Sequence, residues 1–285
     1  MIDFERFLRA IEQNRWEVYG VEAYAGHRRI HSYGDTTNGR HFIYSSTKTL
    51  TALAVGMAQD EGKMDIHKPL PAYLPAKALA DLSDRQRRLI DAVTIERLLT
   101  MSVDGFPFRP EGASWLYNAL RYPIREEPSF LYSNVSAYLA GVAAANALDE
   151  DLYGYLNRRL FLPLGIENPP YQRCPDGYFY GATGMQMTVE ELSRIGFLLA
   201  DGGVFDGQRI VSSDYIGQMC SPHQSNGQSL YGYYVWVYED GGWHISGKWG
   251  QECYFFPKKD LMVTFLSHIE ENDKQISDCM KECLV

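Results

Sequence analysis

Ser45-Ser46-Thr47-Lys48 sets a hydroxyl and an amine three residues apart, and in the first turn of a helix that spacing puts both on one face. A serine hydroxyl is a poor nucleophile at neutral pH, but a neighbouring amine can take its proton once the amine is itself uncharged. The residues that follow read as a buried helix. Between Thr49 and Glu61, Leu50, Leu53, Ala54, Met57 and Ala58 recur at helical spacing, and Gly62 supplies the stop. The pair therefore falls where the positive end of the helix dipole disfavours a protonated lysine and favours an alkoxide. Alone, Ser-x-x-Lys is close to a chance match in a chain of this composition. Its place at the mouth of a buried helix adds weight, because a lysine there must be neutralised, paired or used.

Two further segments carry chemistry-bearing residues. Tyr132 is one of twenty tyrosines, and by type alone it reads as a packing residue. Its context is Pro128-Ser-Phe-Leu-Tyr-Ser-Asn134 ahead of a helix of small residues, so Tyr132 and Asn134 can both face a cleft. The phenol can pass a proton and the amide can bind a substrate carbonyl. The second segment is His244-Ile245-Ser246-Gly247-Lys248-Trp249-Gly250-Gln251. A strand ending in Ser246-Gly247 lets backbone come close to a ligand, and amides at such an edge can complete an oxyanion hole with the amide of Ser45. The bland alternative is a glycine-rich hairpin turn.

The elements that must position these residues follow from periodicity. Met1 to Arg9 opens an amphipathic helix. Trp16 to Ala25 and Arg28 to Tyr33 read as strands joined at Gly26-His27. Residues 63–171 read as mainly helical, with segments near Asp91 to Met101, Ser136 to Ala147 and Asp151 to Phe161. Thr188-Val-Glu-Glu191 is a capping box that opens a helix running to Ala200. Tyr231 to Tyr238, Gly242 to Ser246, Gln251 to Phe256 and Leu261 to His268 are strand-like, and Asn272 to Cys283 closes the chain as a helix. Short connections imply antiparallel pairing. The fold expected is α/β of the α+β type. One antiparallel sheet built from both termini is flanked by helices, residues 1–62 and 172–285 forming the sheet domain and 63–171 an inserted, mainly helical one, with the site between them.

A net charge of −9 and a pI near 5.3 argue against nucleic acid or an anionic membrane as partner. No apolar run is long enough to span a bilayer, and the first residues lack the uninterrupted apolar core of an export signal. Cys174, Cys220, Cys253, Cys279 and Cys283 are odd in number and scattered, which fits a reducing cytoplasm better than a disulfide framework. Cys279 and Cys283 alone make a poor metal site. His27 and His31 lie across a hairpin and read as surface residues. Trp115, Tyr117, Tyr178, Tyr180, Trp236 and Trp249 read as core or pocket lining. No Gly-x-Ser-x-Gly elbow, His-Glu-x-x-His or glycine-rich phosphate loop is present, which disfavours α/β-hydrolase, zinc-protease and nucleotide-binding readings.

Over most of its length the chain resembles the serine β-lactamase and penicillin-binding-protein-like superfamily, in its class C and esterase-like branch. Phe42-Ile-Tyr-Ser45-Ser-Thr-Lys48-Thr-Leu resembles the nucleophile motif, and Glu61-Gly-Lys-Met-Asp-Ile-His-Lys-Pro-Leu70 the loop after it. Val93-Thr-Ile-Glu-Arg-Leu-Leu-Thr-Met-Ser102 resembles the family's next helix, Tyr132-Ser-Asn134 its Tyr-x-Asn motif, and Ile245-Ser-Gly247 its Lys-Thr-Gly or a variant. The resemblance implies an acylated Ser45, Lys48 as proton acceptor, and Tyr132 as the group that protonates the leaving group and activates the deacylating water. It implies Asn134 on a substrate amide, an oxyanion hole from the amides of Ser45 and Lys248, and no metal or cofactor. The class A deacylation motif, a Glu followed by Leu-Asn, is absent, which favours the branch in which tyrosine does that work.

Two positions depart from the pattern. Ile245 stands where a lysine would attract a substrate carboxylate, with His244 before it and Lys248 after. Ser102-Val-Asp-Gly105 replaces a Ser-Gly turn. Loss of the fixed cation weakens the case for β-lactams and D-Ala-D-Ala peptides. The function expected is a cytoplasmic serine hydrolase acting through an acyl-enzyme on a small ester, amide or peptide, with substrate contacts at Asn134, His244, Ser246 and Gly247. The alternatives are a β-lactamase or D-Ala-D-Ala peptidase and, from another class, a non-catalytic ligand-binding or regulatory protein keeping the fold. Oligomeric state is left open.

Overall fold

A computed structural model describes residues 1–285. The N-terminal hairpin, Val18–Ala25 and Arg28–Gly34, pairs with the last strand, Leu261–Ser267, so both ends of the chain meet in one sheet. The register sets Val21 opposite Phe265 and Ala23 opposite Val263. From there the antiparallel order runs Leu261–Ser267, Gln251–Phe256, Trp243–Gly247, Trp236–Val237, Leu230–Tyr231 and Gln224–Ser225, giving eight strands in all. The expected fold class is what the chain adopts: an antiparallel sheet from both termini, covered by helices on each face.

Side-chain alternation divides the sheet between two cores. On one face Val21, Ala23, Val263 and Phe265 pack under Phe7 and Ile11 of the helix Phe4–Asn14 and under Ile276 and Met280 of the helix Lys274–Glu282. On the other face the helix Val189–Ala200 lies close to the sheet. Gly196 permits this approach, since a Cβ there would fall 2.6 Å from Cys253 Sγ and 2.7 Å from Met262 Sδ. That helix opens with the expected capping box, in which Thr188 and Glu191 each accept the other's backbone N–H.

Beyond it, the helices Thr47–Asp60 and Asn134–Leu148 pack against each other inside an apolar core of 66 residues. Thr47 through Ala58 and Asn134 through Ala145 are all buried. Neither helix has a polar face, and both act as central struts. Asp84–Asp91, Ile95–Leu99 and Trp115–Ala119, between them in sequence, and Leu152–Leu156, after them, are short and feed the same core. No helix is long and apolar enough to cross a membrane.

Three expected elements divide. Tyr231 to Tyr238 is two short strands, because the chain turns at Gly232–Val235. There Tyr234 takes a left-handed conformation (φ 57°), and a Cβ on Gly232 would fall 2.1 Å from the Met219 carbonyl oxygen. Asp91 to Met101 is broken at Thr94, whose side chain caps Ile95–Leu99 by accepting the N–H of Arg97. Asp151 to Phe161 is a short α-helix followed by a π-type turn, Asn157–Phe161. The helix Ser213–Met219 and the two-residue pairings His41–Phe42 with Gln186–Met187 and Val204–Phe205 with Gln208–Arg209 are too short to leave a periodic signal.

Candidate active site

Ser45 sits on a 3-10 turn, Tyr44–Ser46, that runs directly into the buried helix Thr47–Asp60. Tyr44 holds a left-handed backbone (φ 45°), which side-chain-bearing residues adopt only when their surroundings enforce it. The enforcing contacts come from both sides. Ile43 donates its N–H to the Met185 carbonyl at 3.0 Å, and Thr47 Oγ1 accepts the Met185 N–H at 3.3 Å. Ser46 Oγ donates to the Gln251 carbonyl at 3.2 Å, and the Tyr44 ring meets Trp249 edge to face at 5.1 Å. The strand Trp243–Gly247 then passes over the turn so closely that a Cβ on Gly247 would lie 2.3 Å from the Ile43 carbonyl oxygen. Glycine at the end of that strand is a packing requirement as well as a hairpin device.

Lys48 Nζ donates to Ser45 Oγ at 2.9 Å and to the Ala182 carbonyl at 2.9 Å, and the residue is 1% exposed. Both partners are uncharged, so nothing offsets the loss of hydration. Burial pushes the ammonium pKa down from 10.5 to about 7. At neutral pH a large fraction is free amine, able to take the Ser45 proton along the same short contact.

Tyr132 is the third member of the cluster. Its ring lies 5.0 Å from Lys48 Nζ and parallel to Trp236 at 6.2 Å. Desolvation pushes its phenol up to about 12 against the pull of the neighbouring Ser45. With these shifts, near pH 7 the lysine is able to accept a proton, while the tyrosine keeps its own. The rate of Ser45 acylation by an activated ester should therefore rise as pH increases through about 7 and level off above it. A stopped-flow pH profile that is flat between pH 5.5 and 8.5 (roughly this pKa with a margin either side) would exclude Lys48 as the base.

Asn134 opens the helix Asn134–Leu148, capped by Ser133, whose Oγ accepts the N–H of Val135 at 3.0 Å. Its Nδ2 donates to Tyr180 Oη at 3.3 Å, and its Oδ1 is buried without a partner. Asn134, expected as a substrate contact, does not line the cavity.

That cavity, about 790 Å³, is lined by Ser45, Phe130, Tyr132, Trp236, His244, Ser246, Gly247 and Lys248. Of the six aromatic residues noted in sequence as core or pocket lining, Trp236 alone borders it. Alternation along Trp243–Gly247 turns His244 and Ser246 toward the cavity and buries Ile245 completely in the large core. His244 cannot replace the missing cation. Its Nδ1 is paired with Tyr238 Oη at 2.8 Å, and burial, reinforced by Lys281, pushes its pKa down to about 3. Lys248 Nζ stands over the Trp249 ring, 4.1 Å from its centroid. His27 and His31 are exposed, as expected.

Sequence reasoning missed two contributors to this cavity. The helix Lys274–Glu282 brings Ser277 and Lys281 to its wall. Glu252, opposite Ser246 in the sheet, is only 7% exposed and accepts the Ser246 hydroxyl at 2.8 Å on Oε1. Burial raises its carboxyl from 4.5 to about 8. The available signal was a lone acid inside the strand-like run Gln251-Glu-Cys-Tyr-Phe-Phe256, where an unpaired charge is costly. Between pH 4.5 and 8 the native state holds a proton at Glu252 that the unfolded chain has lost. Folding stability from this group should thus fall with rising pH across that window, at most about 1.4 kcal/mol per pH unit. Urea titrations of Glu252→Gln should show a flatter pH dependence, and an unchanged slope would contradict this.

Comparison with known proteins bears on the family and the fold. A family model described as Beta-lactamase matches residues 8–278. Among solved structures, a candidate β-lactamase from Bacteroides dorei DSM 17855 aligns with TM-score 0.80 at 14% identity over 99% of each chain. A β-lactamase/D-alanine carboxypeptidase from Pseudomonas syringae aligns with TM-score 0.76 at 14% identity, over 98% of this chain and 97% of that one. A candidate 6-aminohexanoate-dimer hydrolase from Bacillus anthracis aligns with TM-score 0.75 at 17% identity, over 96% of this chain and 80% of the other. At these identities the structural likeness speaks for the fold.

Proposed function

The chain belongs to the β-lactamase family, and on that premise we propose that it is a serine hydrolase that forms an acyl-enzyme on Ser45 from a small ester, amide or peptide. The observation that carries this reading is the 2.9 Å contact between Ser45 Oγ and a buried lysine nitrogen whose pKa lies near 7. Neutral Lys48 takes the Ser45 proton as Oγ attacks the carbonyl carbon. The amides of Ser45 and Lys248 receive the developing oxyanion, and the close passage of Gly247 over the Ser45 turn supports that pairing. Tyr132 passes the proton from Lys48 to the leaving oxygen or nitrogen, and the bond to the leaving group breaks. Water then attacks the acyl carbon, the bond to Ser45 Oγ breaks, and the water's proton, relayed by Tyr132 and Lys48, returns to Oγ, so that the acid leaves with Ser45 restored.

Ser45, Lys48 and 244–248 come from the two outer sequence segments, while Tyr132 and Asn134 come from 63–171. This supports a division into a sheet part and a helical part with the site between them. Esterase or amidase activity is the favoured form, because no cation stands at Ile245 to hold a β-lactam carboxylate. The Bacillus anthracis neighbour, a candidate 6-aminohexanoate-dimer hydrolase, is in keeping with this. Five free cysteines fit a reducing cytoplasm.

A fluorophosphonate probe should add its mass to the wild-type protein at Ser45 and leave Ser45→Ala unlabelled. No labelling, together with no turnover across a broad panel of esters and amides, would leave a ligand-binding protein that keeps the fold. A stoichiometric burst with a chromogenic cephalosporin would reverse the preference for esters and amides.

A further inference from the structure

The far wall of the cavity carries a group that acyl transfer does not use. Glu252 reaches it from the strand Gln251–Phe256, with one carboxyl oxygen fixed by the Ser246 hydroxyl at 2.8 Å and the other, Oε2, buried with no partner. A carboxyl held this way at 7% exposure is a costly feature unless something completes it. No basic side chain forms an ion pair with it, and the Lys281 charge acts on it only from a distance. His244 is neutral and paired with Tyr238, and Ile245 faces the core. Lys281 Nζ stands over the faces of Tyr254, at 5.0 Å, and Tyr238, at 5.7 Å. Lys281 already covers those two faces, but Trp236 and Phe130 also line the cavity with no cation over them, and aromatic faces near a carboxyl form a surface that attracts an organic cation.

We propose that Glu252 is the specificity residue of the cavity and binds an ammonium group of the substrate, so that preferred substrates are small esters or amides carrying a cationic nitrogen. The proposal rests on the acyl-enzyme reading of Ser45 and adds the substrate class to it. Ser246 orients the carboxyl through Oε1, and Oε2, buried in the free protein, turns into the cavity to receive the ammonium. In the free protein Glu252 is largely protonated below about pH 8, so binding a cation must release that proton. The groups around it act in opposite senses: burial and Asp273 oppose ionisation, while the Ser246 and Tyr254 hydroxyls and the Lys281 charge favour it. Asp278 and Glu239 add negative charge elsewhere in the wall, and Lys248 and Lys274 add positive charge. For a cationic substrate KM should therefore fall as pH rises towards 8, and for its uncharged counterpart this trend should be absent.

The test pairs cationic and neutral substrates in each half of the molecule. β-Alanyl p-nitroanilide is set against its N-acetylated form for a cation in the acyl half, and acetylthiocholine against an S-alkyl thioacetate of similar length for one in the leaving half. The expected result is a preference in kcat/KM of about tenfold or more for the cationic member of at least one pair. It should be expressed in KM, and the ratio should collapse towards one in Glu252→Gln. Equal use of both members by wild type in both pairs would overturn the proposal, as would a preference that survives Glu252→Gln. If the variant does not fold, the wild-type pH dependence of KM decides, and a slope identical for cationic and neutral members is the overturning result. Failure of the parent reading is distinguishable, because then Ser45 takes up no fluorophosphonate at all.

Discussion

Lys48→Met is expected to cut Ser45 acylation by roughly 10⁴-fold while making the protein harder to unfold. The catalytic part follows from position. No other basic side chain touches Ser45 Oγ, and Tyr132, held up to about 12, cannot take the proton at neutral pH. The stability part follows from the same burial. The unfolded chain carries Lys48 at its ordinary pKa of 10.5, whereas the native state holds it near 7. From about pH 7 to 10.5 the unfolded state therefore binds more protons, and native stability from this group climbs as pH rises through that window. At and below pH 7 the full cost of desolvation is present. Methionine keeps the stem and removes that cost, but it orphans the Ala182 carbonyl, a loss of about 1–3 kcal/mol. Because apolar replacement of buried ionic groups commonly gains about 1–4 kcal/mol, the central values leave a net gain of about 0.5 kcal/mol. The gain should be largest at pH 7 and below and should shrink by pH 9.5, which lies about one unit under the free-lysine pKa. Urea midpoints of both proteins at the two pH values check this. A variant less stable at pH 7 would mean that Lys48 is a structural anchor instead of a base held under strain.

The Ser45–Lys48 pair was legible because helix geometry converts a three-residue spacing into a contact with no information from elsewhere in the chain. Tyr132 was legible only through its flanks. Its approach to Lys48 joins segments more than eighty residues apart, and no local rule fixes that distance. Glu252 was not legible as a site residue. Its meaning depends on the register that sets it opposite Ser246 and on a terminal helix closing the same cavity. His244 shows the converse: its presence was readable, but its neutral state depends on Tyr238 and on burial. The broken strand at Gly232–Val235 misled for a related reason. Tyr and Val favour strand by type, yet a carbonyl from Met219 occupies the space the strand would need.

Gly247→Ala is the second substitution with a large expected effect, and the reason is space rather than backbone freedom. The alanine Cβ would fall 2.3 Å from the Ile43 carbonyl oxygen and 3.0 Å from both Gln251 Cβ and Ser46 Oγ. The first of these is backbone on the turn that carries Ser45, so no side-chain rotation relieves it. Either the strand lifts away or the turn is pushed into the helix behind it, and both movements separate the Lys248 amide from Ser45. Loss of one oxyanion donor costs about 10²–10³ in kcat, and overpacking costs about 1–3 kcal/mol. Gly217, with nothing within 4 Å of an added Cβ, supplies the control. Gly217→Ala lies inside the helix Ser213–Met219 and should be neutral or stabilising by about 0.4–1 kcal/mol. In Gly247→Ala the fall should appear in kcat with probe labelling of Ser45 slowed in proportion, because the turn and the strand that faces it no longer meet. If labelling slows and KM alone rises, the strand edge binds substrate without stabilising the oxyanion, and the donor must be sought at another amide around the Tyr44–Ser46 turn.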